Sequence, residues 1–353
     1  MTREWFLPII TAAIIAVGFI TLNSAGSPAL VRSQFVALLI GCAAIGVVLV
    51  LGRVRIMQLA TTGYALAVIL LLLTMLFGTE VNASRSWLKL GPLPSFQPSE
   101  IAKIALILVM ARTLHNRQLG SLTSYLLPFA LLVVPLGFVF LEPDLGGSLV
   151  LAAIGVGMIL IRGVPVRQLL IAVALVGVLV PTVVWPRLAP YQQQRVLSFL
   201  DPAADPLGSG YQVLQARIAI GSGGLVGKGY RQGTQSQLGF IPEQHNDFIF
   251  PVLAEEGGLL AALLLLSLYG LLFWRLLSMA AECPEDRDVL VISGATILIG
   301  FQVLVNIGVT LGLAPVTGLT LPLMSYGGTS LISTLLVLGI AWTVHRDRFK
   351  PAA

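Results

Sequence analysis

Charge is scarce in this chain. Only 10% of its 353 residues are Asp, Glu, Lys or Arg, whereas 56% are hydrophobic. A soluble domain carries roughly 25% charged residues, so a water-soluble globule is excluded. Cysteine is scarce too. Cys42 sits in an apolar run and Cys283 in a short charged loop, which offers neither a disulfide framework nor a metal pair. The three histidines form no His/Cys ligand pair, and this argues against zinc. Polar and apolar residues do not alternate along the apolar runs, so a membrane β-barrel is excluded. Repeats of 20–50 residues are absent, and no linker divides the chain. Residues 1–353 therefore read as a single integral membrane domain. The net charge of +5 reflects loop anchoring and not a nucleic-acid partner.

What is present is hydrocarbon-like sequence in long runs. Several runs reach the roughly 18–20 residues that cross a bilayer. The spans expected are about 6–24, 34–52, 57–78, 100–116, 124–141, 145–162, 165–186, 248–276, 288–312 and 325–345. The fold class is all-α, a polytopic helical membrane protein of about ten transmembrane helices. The run from Phe6 is long for a signal peptide and a second span follows at once, so it reads as an uncleaved first helix. With ten spans both termini share one side. Twelve Lys and Arg residues fall on that side and three, Arg32, Arg85 and Lys89, in the short loops opposite. That bias puts both termini in the cytoplasm.

One stretch breaks the pattern. The segment of about 187–247, between spans 7 and 8, is a large polar loop on the outer side. Loops of that length in a compact domain are usually functional or disordered. It closes on Glu243, His245 and Asp247, immediately before an apolar run. Asp247 either caps the following helix or acts as a base, and the two roles are compatible. Within the loop, residues 211–220 read as a short interfacial helix. The glycine-rich turns at 221–224 and 227–229, with Lys228 and Arg231 beside them and Arg217 upstream, form a candidate anion clamp.

Three further clusters lie on the outer side. Arg85 and Trp87 precede Pro98-Ser-Glu100, where Ser99 is a plausible N-cap and Glu100 suits a helix start. Glu100 and Lys103 share a helix face. They are either a structural salt bridge or the lining of a cavity, and Trp87 alone reads as an interfacial anchor. Asp144, in Leu141-Glu-Pro-Asp-Leu-Gly-Gly147, suits a helix cap. Residues 314–330, uncharged but rich in Pro, Gly and hydroxyls and including Ser325, read as a re-entrant segment walling a wet cavity.

Gln97-Pro-Ser-Glu100, Pro143-Asp-Leu-Gly146, Gly239-Phe-Ile-Pro-Glu243 with His245-Asn-Asp-Phe-Ile-Phe250, and Ser325-Tyr-Gly-Gly328 together resemble the SEDS family (shape, elongation, division and sporulation), along essentially the whole chain. The run Asp247–Glu256 is more similar to the elongation branch than to the division branch. The family usually has threonine where this chain has Asn246. The resemblance implies a peptidoglycan glycosyltransferase of the bacterial cytoplasmic (inner) membrane. It implies lipid II and a lipid-linked glycan strand as substrates, and a class B penicillin-binding protein (a transpeptidase) as partner. It makes Asp247 the expected catalytic residue and Arg85, Trp87, Glu100 and Lys103 part of an outer substrate cluster. Arg217, Lys228 and Arg231 are expected to hold diphosphate, with Glu243, His245 and Ser325 lining the site. A divalent cation, Mg or Mn, is a candidate to share the diphosphate charge. A lipid II flippase and an O-antigen ligase are the competing readings. Paired Gly/Pro-broken spans of a transporter are not found, and the charges gather at the outer face.

Overall fold

The structure is a computed structural model. It describes residues 5–81, 84–89, 96–115, 117, 121–201 and 208–350; the side chains at 80, 81, 84, 85 and 122 lie outside the description. The spans are helices where hydropathy places them, since in hydrocarbon each backbone group must be satisfied within its own segment. They are α1 (Phe6–Ala25), α2 (Pro28–Phe77), α3 (Pro98–Leu114), α4 (Leu126–Leu141), α5 (Leu145–Ile161), α6 (Val166–Leu179), α10 (Ile249–Ala281), α11 (Asp286–Leu311) and α12 (Gly328–Arg346). Among the described residues seven helices are long and apolar enough to cross a membrane. One of these, α2, has 50 residues and breaks at Gly52 (φ 72°), so it supplies two spans. With the 17-residue α5 and α3 a helix stands at each of the ten positions where a span was expected.

Helix α3 is the hub. It packs on α2, α4, α5, α11 and α12 and is buried nearly all round, the charges Glu100 and Lys103 included, which are paired with each other. At the other extreme, α6 buries no residue and continues through a π-turn (Val180–Val184) and a 3₁₀ turn (Trp185–Arg187).

Two glycine breaks expose backbone groups, and each is satisfied differently. At Gly52 the freed N–H of Arg53 donates to the Asp347 carboxylate (3.3 Å). At Gly258 (φ 70°) the outer loop itself supplies the partners. Lys228 N–H and Gly229 N–H donate to the carbonyls of Glu255 and Glu256 (both 3.0 Å), while Leu259 N–H and Leu260 N–H donate to Gly224 and Leu225 (2.9 and 3.2 Å). The approach is so close that a side chain at Gly223, Gly227 or Gly258 would strike opposing backbone.

The outer loop is thus largely ordered. It holds α7 (Pro190–Leu200), α8 (Ser209–Ser222) and the short α9 (Thr234–Gln237). The expected interfacial helix exists as α8, but Ala216 and Ala219 pack it onto Phe248 and Val309. The sequence reading did not anticipate a small antiparallel hairpin, β1 (Thr79–Val81) with β2 (Ser84–Trp87). A second correction concerns α3. Its N-cap is Gln97 and not Ser99, because Pro98 is suited to the first helical position and pulls the start back two residues.

Candidate active site

After α11 ends on left-handed Gly312 (φ 74°), residues 313–327 run without regular structure and are mostly buried from Val316 to Ser325. This is the expected re-entrant segment. Its backbone is gripped on several sides. Gln34 Nε2 donates to Ser325 O (3.0 Å) and Gln34 Oε1 accepts from Gly327 N–H (3.1 Å). Tyr269 donates from its hydroxyl to Pro322 O (2.5 Å).

The turn carrying Asp247 lies on this segment. Glu243 is in the left-handed region (φ 51°), an uncommon conformation for a non-glycine residue and one that gathers at functional sites. Asn246 donates from its amide to the Glu243 carboxylate (2.6 Å), so the departure from threonine keeps a polar tie within the turn. Three consecutive carbonyls then each accept a hydrogen bond from distant chain. Tyr326 N–H reaches His245 O (2.8 Å), Ser325 Oγ reaches Asn246 O (2.6 Å) and Asn306 Nδ2 reaches Asp247 O (2.9 Å). The His245 and Tyr326 rings lie 5.9 Å apart.

The Asp247 side chain is held differently. Phe248 is the N-cap of α10 and no side chain caps that helix, so the capping role is not realised. Among the described residues no donor hydrogen-bonds its carboxylate. Burial pushes the group up to about 6, partly opposed by the Arg195 charge and reinforced by that of Glu243. Gly318 (φ 76°) opens a gap in the segment here. A Cβ added to it would stand 3.8 Å from Arg195 Nη1 and 3.9 Å from Asp247 Oδ2.

A second polar layer adjoins this one. Asp144 caps α5 as expected, accepting from Gly147 N–H (2.8 Å), and also from Gln97 Nε2 (3.0 Å). Burial nonetheless raises its proton affinity, and Glu142 beside it is pushed up to about 8 by burial and then by the Asp144 charge. Glu100 and Lys103 are both buried and paired at 2.7 Å, and Ser333 Oγ donates to the other Glu100 oxygen (2.6 Å). The layers meet at two places. Gly146 abuts Thr317 O, and Tyr191 and Gln192 of α7 donate to Pro143 O (2.7 and 3.0 Å), which brings Arg195 over the site.

The remaining candidates are placed as follows. Trp87 is half-buried at the end of β2. Arg85 stands on the same strand, and its side chain lies outside the described residues. Ser325 is buried, with its hydroxyl also accepting from Leu321 N–H (2.9 Å), so it serves the fold of the segment. Lys228 is engaged with Glu255 (2.7 Å) and Thr234 (2.7 Å) and is not free to clamp an anion. Arg231 is exposed and donates to Asn23 O (2.7 Å). Arg217 is exposed beside Gly312. The structure therefore brings Glu243 and Asp247 together with Arg195, and engages Lys228 and Arg231 with other partners. Arg195, Gln97 and Asn306 were missed. For Arg195 a signal existed, since a basic residue four to five positions after Pro190 falls within the first turns of a loop helix.

Comparison with known proteins fits this geometry. The family described as cell cycle protein, which unites FtsW, RodA and SpoVE, matches residues 5–350. The chain belongs to this family, the SEDS family. Peptidoglycan glycosyltransferase MrdB of Escherichia coli (strain K12) is 44% identical over 287 residues, covering 81% of this chain and 77% of its own. Stage V sporulation protein E of Bacillus subtilis (strain 168) is 39% identical over 276 residues, covering 76% and 73%. Among solved structures, a chain from a peptidoglycan synthase complex that coordinates polymerization and crosslinking superposes with a TM-score of 0.87 at 46% identity, over 98% of both chains. The rod shape determining protein RodA of Thermus thermophilus gives 0.76 at 38%, again over 98% of both. A multi-pass SEDS membrane protein is thus established on sequence and fold alike.

Proposed function

We propose that this protein is a peptidoglycan glycosyltransferase that polymerises lipid II at the outer face of the bacterial cytoplasmic membrane, in service of cell elongation and shape, with Asp247 as its general base. Its termini are cytoplasmic by the charge bias of the loops, which sets residues 187–247 outside. The observation that carries the catalytic reading is the state of Asp247. It is a half-buried carboxylate, raised to about 6, that no donor among the described residues occupies. A base near neutrality with an open lone pair suits proton transfer at physiological pH.

In the reaction, the 4-hydroxyl of an acceptor N-acetylglucosamine attacks the anomeric carbon of the lipid-linked strand. The new C–O bond forms as the bond to polyprenyl diphosphate breaks. The hydroxyl proton goes to Asp247, and the diphosphate leaves as an anion. A single displacement with one carboxylate inverts the anomeric centre. Arg195 is the cation placed to balance charge as it develops on the leaving group. A divalent cation fits only in part. Among the described residues no three His, Cys, Asp or Glu side chains converge, so Glu243 would hold Mg or Mn together with substrate phosphates, as magnesium is commonly held, with Asp247 left to the acceptor hydroxyl. The metal would then neutralise diphosphate charge. A class B penicillin-binding protein crosslinks the strands so made.

The test is polymerisation by purified protein with lipid II and a divalent cation, read as glycan strands on a gel, with and without the transpeptidase. Strands from wild type and about 10²–10⁴-fold slower strand formation by Asp247→Asn are expected. Lipid II crossing liposomes without polymer would replace this reading with transport.

A further inference from the structure

The catalytic turn raises a problem of positioning. A base must be fixed to well under an ångström, since a 1 Å misplacement costs on the order of 10²-fold in rate. Side chains are usually fixed by hydrogen bonds to their polar atoms. For a carboxylate each such bond also stabilises the ionised form and weakens the base. Asp247 has none among the described residues, so its side chain is placed through the backbone.

The geometry points to Asn306 and Ser325 as positioning residues for Asp247, acting as a clamp on the main-chain carbonyls of Asp247 and Asn246; this rests on the general-base reading above. Asn306 stands on α11, 1% exposed, in an otherwise apolar stretch. An amide is costly to bury there unless it is bonded. Its two amide hydrogens go to two different pieces of chain, Asp247 O (2.9 Å) and Leu319 O (2.7 Å). One side chain therefore sets the catalytic residue against the segment that faces it, at the level of Gly318. Ser325 makes the neighbouring tie, receiving Leu321 N–H and donating to Asn246 O (2.9 and 2.6 Å). Tyr326 N–H completes the row on His245 O (2.8 Å), and Gln34 holds that end of the segment from α2. The clamp fixes φ and ψ around Asp247 and leaves its carboxylate free for the acceptor hydroxyl.

The experiment uses full-length protein with its transpeptidase and fluorescent lipid II, measuring kcat, KM and thermal melting for Asn306→Ala, Ser325→Ala, Asp247→Asn and the double variant Asn306→Ala/Asp247→Asn. Asn306→Ala is expected to lower kcat about 10- to 100-fold, with KM for lipid II within about twofold and the protein still folded. Because Asn306 acts through Asp247, the double variant is expected to be no slower than Asp247→Asn alone. Wild-type kcat in Asn306→Ala overturns the proposal, and so does an Asn306→Ala loss that multiplies with that of Asp247→Asn, because either result makes the amide a purely structural tie. If Asn306→Ala does not fold, Ser325→Ala is judged by the same criteria, with a kcat loss of about 10-fold expected and an unchanged kcat overturning the clamp. Normal polymerisation by Asp247→Asn would instead refute the base, a different result from a failure at Asn306 or Ser325.

Discussion

Buried charge occurs at both ends of the helices, but among the described residues the outer end holds, beside paired groups such as Glu100–Lys103 (2.7 Å), one carboxylate that is treated differently. At the end proposed to face the cytoplasm, the inner end, Arg53 is 1% exposed and Asp288 0%, paired at 2.5 Å. Arg53 also meets Glu285 (3.0 Å) and the carbonyl of Lys350 (2.8 Å). Nearby His345, Arg275 and Arg348 surround Glu282. Each of these charges has a partner of opposite sign, and together they fasten the broken α2 to α11 and the C-terminal end of α12. At the outer end Asp247 has nearby charges but no bonded partner for its carboxylate among the described residues. A buried charge with partners holds a fold together; one without them is kept for chemistry.

The largest effect that separates the two ends is expected from Asp247→Asn. Polymerisation should fall by about 10²–10⁴-fold, the usual worth of a general base, as read by strand formation. Stability should move the other way. The folded-state value of about 6 lies above the usual carboxylate range, so the ionised group costs stability that is lost as pH rises through about 6. Removing that cost should leave melting at pH 7.5 unchanged or higher, and a clear fall in melting temperature would contradict the account. Arg53→Ala should show the reverse pattern. Leaving Asp288 buried and unpaired costs about 3–5 kcal/mol, measured by thermal melting in detergent, while the protein that remains folded keeps its kcat. Arg53→Met combined with Asp288→Leu should recover most of that loss, because no uncompensated charge is left behind.

Arg195→Ala sharpens the outer end. The wild-type rate should rise with pH through about 6 as Asp247 ionises. Without the Arg195 charge the acid limb of the kcat/KM profile should move up by as much as about 1 pH unit, whereas a downward move would show that Arg195 does not act on Asp247. The smallest effect is expected at the half-exposed inner pair Arg162–Asp286 (2.6 Å). Asp286→Asn should change stability by no more than about 1 kcal/mol and leave polymerisation untouched, which checks that depth and not charge count governs the inner network.

The spans were legible because bilayer thickness imposes a length on apolar sequence that any reader can count. Asp247 was legible because an acid, a histidine and a second acid stand together where hydrocarbon begins. The partners of each group were not legible. Lys228 resembles an anion clamp until Glu255, 0% exposed and 27 residues on, takes it. That glutamate sits in a stretch whose hydropathy hides what it faces. Asn306 looks like an isolated polar residue in a long span, and only tertiary contact gives its amide two carbonyls. Ser99 lost its cap because Pro98 exerts a stronger local preference on the helix start. The hairpin at 79–87 is too short for periodicity to register.

The break in α10 at Gly258 also governs which parts of the molecule can move relative to one another. Four backbone hydrogen bonds stitch residues 224–229 into the gap in that helix, and the glycines on both sides are packed to backbone contact. A lid needs a seam that parts at little cost. Parting this one would strand eight main-chain groups, four N–H and four C=O, each costly to leave without a partner. The stitched turn therefore travels with α10 as one rigid piece, and any opening of the outer face has its hinge elsewhere in the chain.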